Sequence, residues 1–140
     1  MKKQLLTLGL TALLIAFSPC TAAAHALPNV QEITEASFSD SSKYTYVQST
    51  VISVDPSSSG IGYSVAIFGN TQVTSISGTI TIYKGTSSIY STPASSTKRY
   101  LVTSDTIPSQ GPGTYKVKFV GTVYATGGSE PLEIEHTDSY

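Results

Sequence analysis

Apolar and polar residues alternate along most of the chain from Tyr44 onward, which is the pattern of half-buried β-strands. The segment Val73–Lys84 shows it clearly, because Ile76, Ile80 and Ile82 fall on one face of an extended strand. The alternation predicts seven strands: Tyr44–Val54, Gly60–Phe68, Val73–Lys84, Ser87–Thr92, Thr97–Ser104, Thr114–Ala125 and a last one that carries Leu132 and Ile134.

Turn-forming sequences separate these predicted strands, among them Asp55-Pro56-Ser57-Ser58-Ser59-Gly60, Ser91-Thr92-Pro93 and Gly111-Pro112-Gly113. Short strands that each carry one apolar face bury those faces by packing two antiparallel sheets together. The sequence therefore predicts an all-β fold, a single antiparallel β-sandwich of about seven strands and immunoglobulin-like type, over residues 44–140.

A short motif supports that fold. The stretch Pro112-Gly113-Thr114-Tyr115-Lys116-Val117-Lys118 resembles the entry to the sixth strand of fibronectin type III and bacterial immunoglobulin-like domains. In those domains a tyrosine hydroxyl pins the corner to upstream backbone, and the resemblance implies this role for Tyr115. The sequence departs from the antibody pattern because it has no tryptophan and only one cysteine.

The chain as a whole is similar to a family of small secreted proteins of Gram-positive bacteria with no assigned function. The similarity rests on the N-terminal apolar segment, Ile82-Tyr83-Lys84, Gly113-x-Tyr115 and the closing Thr122-Val123-Tyr124-Ala125…Gly128-Ser129-Glu130…Thr137-Asp138 run. This resemblance implies an extracellular protein and lends no catalytic residues.

The first 26 residues have the features of a secretory signal peptide. Lys2 and Lys3 precede an apolar run from Leu5 to Phe17, which is too short to span a bilayer, and Ala24-His25-Ala26 suits signal peptidase. We therefore expect a secreted protein that begins at Leu27, has no membrane span after processing and carries an N-terminal linker over residues 27–43.

Cys20 offers an alternative, because a cysteine after an apolar run can be the acylated first residue of a bacterial lipoprotein. Its flanks argue against this, since Pro19 stands where a small residue is usual. Cleavage before Leu27 removes the only cysteine, so no disulfide or thiol chemistry is expected. It also leaves six basic residues against nine acidic ones, a balance that does not favour nucleic acid as a partner.

Catalytic and metal sites find little support in the sequence. There is no Gly-x-Ser-x-Gly motif that could position a serine nucleophile. The one histidine that survives cleavage, His136, lies near the chain end, and strand alternation places its side chain on the same face as Leu132 and Ile134. One histidine without cysteine is too few ligands for zinc, and the loop Asp55-x-Ser57-x-Ser59-Gly60 lacks the carboxylates of a calcium loop. Glu133 and Glu135 share one strand face, which suits a solvated edge rather than a glycosidase cleft. We expect no enzyme activity, cofactor or metal.

Tyrosine is the one unusual enrichment, with nine in the chain. Tyr44 and Tyr46 share a face of the first predicted strand, and Tyr83 and Tyr124 fall on outward faces of the third and sixth. Exposed aromatic rings bind sugars and peptides, whereas cross-strand pairing is the alternative that needs no ligand. These four tyrosines form the predicted ligand-binding surface.

Three function classes follow. The first is a secreted, non-catalytic binding or interaction module whose partner is a cell-wall glycan or another extracellular protein. The second is a structural or self-associating cell-surface protein, which exposed edge strands rich in Val, Ile and Thr would support. The third, a secreted hydrolase, would need a pocket that unites His136 with an acid and a serine.

Overall fold

Two antiparallel sheets packed face to face make up the part of the protein that the computed structural model describes, residues 37–38 and 43–140. The strands are β1 (Ser37–Phe38), β2 (Val47–Pro56), β3 (Ile61–Gly69), β4 (Val73–Lys84), β5 (Ser87–Ser96), β6 (Tyr100–Ile107), β7 (Thr114–Ala125) and β8 (Gly128–Ser139). The predicted signal peptide, the cleavage site before Leu27, Cys20 and most of the predicted linker lie outside the described residues.

Sheet 1 has the strand order β1-β2-β3-β6 and sheet 2 the order β5-β4-β7-β8. Consecutive strands change sheet between β3 and β4, between β5 and β6 and between β6 and β7, as in Greek-key sandwiches. The fourth long strand, β5, pairs with β4 in sheet 2, whereas the constant-type immunoglobulin domain has its fourth strand in the other sheet. The predicted β-sandwich is confirmed.

The core lies between the sheets and consists of the inward-facing residues of their long strands. Every second residue of β3 from Ile61 to Ile67 is almost fully buried, and β7 shows the same period from Tyr115 to Phe119. The largest buried side chains come from five strands: Ile52, Ile61, Ile67, Ile76, Ile80, Ile82, Tyr115, Phe119 and Leu132. The apolar residues that the sequence alternation places on the inner strand faces are therefore the residues that form the core.

Several predicted strand limits are wrong. The predicted turn at Ser91-Thr92-Pro93 lies inside β5, where Pro93 is the partner of Thr79. Because β5 is the outermost strand of sheet 2, a proline without an N–H can occupy its unpaired side. The fifth predicted strand is shifted to Tyr100–Ile107, and the seventh is longer than predicted because all of β8 pairs with β7.

The first predicted strand begins too early. Residues Tyr44 and Tyr46 precede β2, which starts at Val47 and extends to Pro56. Part of the predicted linker, Ser37–Phe38, forms β1 and pairs with Ile52 and Val51 of β2. Sheet 1 therefore gains a short edge strand from a segment that lacks clear alternation.

The corner before β7 has the hydrogen bond that the resemblance implied. The Tyr115 ring is buried, and its hydroxyl donates to the carbonyl of Gly111, whose φ of +78° favours glycine. The Lys84 ammonium donates to the neighbouring carbonyl of Gln110 and lies 5.7 Å from the centroid of the Tyr115 ring. Two donors therefore hold consecutive carbonyls of the loop that joins the two sheets.

Replacement of Tyr115 by phenylalanine removes one of these donors and leaves the ring in place. We expect a loss of about 0.5–1.5 kcal/mol in the free energy of unfolding, the net worth of one hydrogen bond. Urea unfolding measures the loss. Unchanged stability would show that water replaces the hydroxyl at the Gly111 carbonyl without cost.

Candidate functional site

Tyr44 and Tyr46 belong to a short segment, residues 43–46, that we call the strap. Both rings are half-buried and pack against the core. The Tyr44 hydroxyl donates to the carbonyl of Glu133 in β8 at 3.2 Å, and a Cβ placed on Gly127 would lie 3.0 Å from the Tyr46 hydroxyl. The expectation of two outward rings on one exposed strand face is wrong, because these rings attach the strap to the sandwich.

The strap is held by one carboxylate. Glu130 of β8 accepts hydrogen bonds from the backbone N–H groups of Thr45, Tyr46 and Val47 at 2.8, 2.7 and 3.1 Å. Asn70 adds two bonds, since its N–H donates to the Tyr46 carbonyl and its side-chain amide donates to the Thr45 carbonyl. The strap is therefore part of the scaffold.

Tyr83 and Tyr124 both lie on the outer face of sheet 2, as predicted from their parity. Tyr83 is half-buried, with the Lys116 ammonium 5.2 Å from its ring centroid, whereas Tyr124 is 45% exposed. Tyr83 is aligned with Lys116, eight residues from Tyr124 along β7, which corresponds to roughly 26 Å. The four predicted tyrosines therefore do not form one surface, and their role in binding stays a prediction.

Two acidic residues of β8, Glu133 and Glu135, are paired with lysines of β7 on the same outer face. Lys118 lies 2.6 Å from Glu133, and Lys116 lies 3.5 Å from Glu135. The hydrogen bond between Lys118 and Glu133 raises the pKa of the ammonium and lowers the pKa of the carboxyl. Both carboxylates are exposed, and their arrangement is that of a solvated, charge-balanced sheet face.

His136 lies at the seam between the sheets. Its ring is half-buried, and Nδ1 accepts a hydrogen bond from the Val54 N–H of β2 at 3.4 Å. The loop at Ser57 closes on itself, since the N–H and the hydroxyl of Ser57 both donate to the Gly60 carbonyl. Both features have structural roles, at the edge of β2 and in the turn before β3.

The most exposed cluster of apolar side chains lies on the outer face of sheet 1. Phe68 and Tyr100 are direct partners across β3 and β6, and their side chains are 40% and 41% exposed. Val102, the next outward residue of β6, is 60% exposed and is paired with Ala66. We call Phe68, Tyr100 and Val102 the outer apolar patch.

The surroundings of the outer apolar patch are rich in hydroxyl groups. The outward residues nearest to the patch are Ser49, Val51, Ser53, Ser64, Ala66 and Ser104, and Asp55, Gly62 and Thr106 continue the three rows beyond them. Lys98 borders the patch, with its ammonium 3.3 Å from the Tyr100 hydroxyl and 5.5 Å from the ring centroid. The patch thus combines two exposed rings, one aliphatic side chain and nearby hydroxyl groups.

An open groove of about 550 Å³ adjoins the patch where the edge strands of the two sheets lie close to each other. Its walls are residues 93–96 of β5 and residues 98–103 at the start of β6, without Arg99. Outside the groove, the rings of Tyr63 in β3 and Tyr90 in β5 lie 6.1 Å apart, and burial raises the pKa of Tyr63 to about 12.

Reasoning from sequence missed Phe68 and Tyr100, although a signal was present. In β3, the apolar residues Ala66 and Phe68 occupy the parity opposite to the core residues, and in β6 Leu101 and Val102 are adjacent. Apolar residues on both faces of a strand at the surface of a small sandwich indicate an exposed patch. The predicted ligand-binding surface contained four other tyrosines and no phenylalanine, so it did not include this face.

No helix within the described residues is long and apolar enough to cross a membrane. Over the same part of the chain, no group of three or more His, Cys, Asp or Glu side chains is arranged to hold a metal ion. No model of a known protein family matches this chain, and no curated protein sequence matches it significantly.

Proposed function

We propose that this protein is a secreted, non-catalytic binding module, and that the outer apolar patch is its contact surface for a neutral cell-surface glycan. The observation that carries the proposal is the direct pairing of two exposed rings, Phe68 and Tyr100, on a sheet face rich in serine. Exposed rings of this kind are a rigid apolar platform, and the Tyr100 hydroxyl adds a polar group at its edge.

The neighbouring side chains support a glycan as the ligand. A sugar ring presents an apolar face that stacks on an aromatic ring and hydroxyl groups that need hydrogen-bond partners. Ser49 and Ser104 lie on the same outer face beside Phe68 and Val102, and the charged residues of this face, Lys98 and Asp55, lie toward its two ends. A face with few charges suits a neutral polysaccharide better than a highly charged partner.

The test is binding of the purified protein to whole cell walls and to soluble neutral polysaccharides. The variant Phe68→Ser/Tyr100→Ser removes both rings, and we expect it to weaken binding by roughly fivefold or more, since each aromatic contact contributes about 0.5–1.5 kcal/mol. The matched control is Tyr124→Ser, which removes an equally exposed ring from the other sheet. Thermal unfolding of each variant shows that the fold is intact.

Equal binding by the double variant and the unchanged protein would remove the outer apolar patch from the site. Loss of binding in Tyr124→Ser alone would move the contact surface to the outer face of sheet 2. If the purified protein bound an extracellular protein instead of polysaccharide, and the double variant lost this binding, the outer apolar patch would remain the contact surface but its ligand would be a protein.

A further inference from the structure

The outermost strand of sheet 1, β6, has a regular unpaired edge in the part of the chain that is described. The Gly69 N–H donates to the Arg99 carbonyl at 2.7 Å, which places that residue pair in a hydrogen-bonded position of the ladder. In an antiparallel ladder such positions alternate, so the N–H and C=O groups of Tyr100, Val102 and Ser104 point away from β3. Three successive outward residues thus offer free backbone donors and acceptors.

The other sheet edges carry features that oppose strand addition. Each edge strand of sheet 2 contains a proline, Pro93 in β5 and Pro131 in β8. In β8, the carbonyl of Glu133 already accepts a hydrogen bond from the hydroxyl of Tyr44 in the strap. On the far side of sheet 1, His136 accepts the Val54 N–H. By contrast, β6 contains no proline and pairs with β3 over its full length without a register shift.

Arg99 and Asp105, at the two ends of β6, carry opposite charges that would face each other if two copies of the strand paired about a two-fold axis. If two copies pair antiparallel with Val102 opposite Val102, then Tyr100 of each copy faces Ser104 of the other, and Arg99 faces Asp105. The free N–H and C=O groups of both strands meet at the Val102–Val102 and Tyr100–Ser104 positions of this register. A register centred on Tyr100 or on Ser104 does not bring Arg99 opposite Asp105. Both side chains are exposed.

We propose that the protein forms a symmetric dimer through antiparallel pairing of β6 with β6 of a second copy, in the register that places Arg99 opposite Asp105. The two four-stranded sheets then form one continuous sheet, since β6 is at the end of each. Tyr100 and Val102 of both copies lie on the same outer face, so the two outer apolar patches become one. The dimer does not depend on the proposed ligand.

Charge exchange tests the register. We expect Arg99→Glu and Asp105→Arg each to raise the dimer dissociation constant by about tenfold or more, because two symmetry-related pairs change from attraction to repulsion. The double variant Arg99→Glu/Asp105→Arg restores both pairs with exchanged signs and is expected to dimerise like the unchanged protein. Sedimentation velocity of the full chain, with its N-terminus determined by mass spectrometry, measures the constants over micromolar to millimolar concentrations.

A second measurement reports on the strand edge itself. In hydrogen exchange, the N–H groups of Val102 and Ser104 are expected to become protected as the protein concentration rises, whereas that of Thr106, which donates to its neighbour Asp105, changes little. A protein that is monomeric at all concentrations would overturn the proposal. So would dimerisation that the single variants do not weaken, or a double variant that stays as weak as the single ones.

Discussion

Replacing Gly121 with alanine is expected to lower the free energy of unfolding by about 3 kcal/mol, the range of a core substitution that the backbone cannot absorb. Gly121 in β7 is the direct partner of Gly78 in β4. A Cβ on Gly121 would lie 2.4 Å from the Ser77 carbonyl oxygen and 2.7 Å from Cζ of Phe119, whose side chain is fully buried. The ring of Phe119 thus occupies the space that two missing side chains leave.

Urea unfolding of Gly121→Ala measures this loss, and Gly62→Ala is the matched control. Gly62 lies within β3, a central strand of sheet 1, and the nearest atom to its added Cβ is 3.7 Å away. The control is expected to be neutral or slightly stabilising, because alanine restricts the unfolded chain more than glycine does. Similar effects of the two substitutions would contradict the close packing of Phe119 on Gly121.

Replacing Glu130 with alanine is expected to lower the free energy of unfolding by about 2–3 kcal/mol, since the backbone N–H groups of Thr45 and Tyr46 in the strap and of Val47 at the start of β2 lose a charged acceptor. Glu130→Gln is expected to cost less, because the amide keeps one oxygen for the bonds at Tyr46 and Val47. The loss is measured by urea unfolding, and faster hydrogen exchange confined to residues 43–47 identifies the strap as its source.

Glu135→Ala is the matched control for that experiment. Glu135 lies on the same strand, but its side chain is exposed and its contact to Lys116 is 3.5 Å long. Exposed ion pairs of this kind contribute little, so the control is expected to change stability by less than about 0.5 kcal/mol. If Glu130→Ala changed the free energy of unfolding as little as this control, water would satisfy the N–H groups at the strap as well as the carboxylate does.

Part of the fold was predictable because it depends on short-range regularities. The isoleucines of β4 face the core since side chains of an extended chain alternate, whatever lies beyond the strand. The Tyr115 corner was predicted from the resemblance of its motif to fibronectin type III and immunoglobulin-like domains, and the hydrogen bond it implied is a local one, with donor and acceptor four residues apart. The outward position of Tyr124 followed from the same parity.

The candidate site was less predictable because it depends on which strands become neighbours. Phe68 and Tyr100 are brought together by the pairing of β3 with β6, and neither sequence segment alone indicates its partner. Tyr44 and Tyr46 alternate like strand residues, yet Glu130, more than 80 residues away, accepts the N–H groups that a strand would have used. The alternation of residues therefore could not show whether the N–H groups of this segment bond to a neighbouring strand or to the side chain of Glu130.

The sequence by itself determined the fold class, the inward faces of the long strands and the corner at Tyr115, since each follows from local periodicity or a local contact. Only the tertiary structure decided which strands form the sheet edges, and therefore why Pro93 can lie inside β5 and why β6 has a free edge. Edge position, like the outer apolar patch and the attachment of the strap, depends on pairing between distant segments. Such pairing is selected by the burial and hydrogen bonding of the whole sandwich rather than by any one strand.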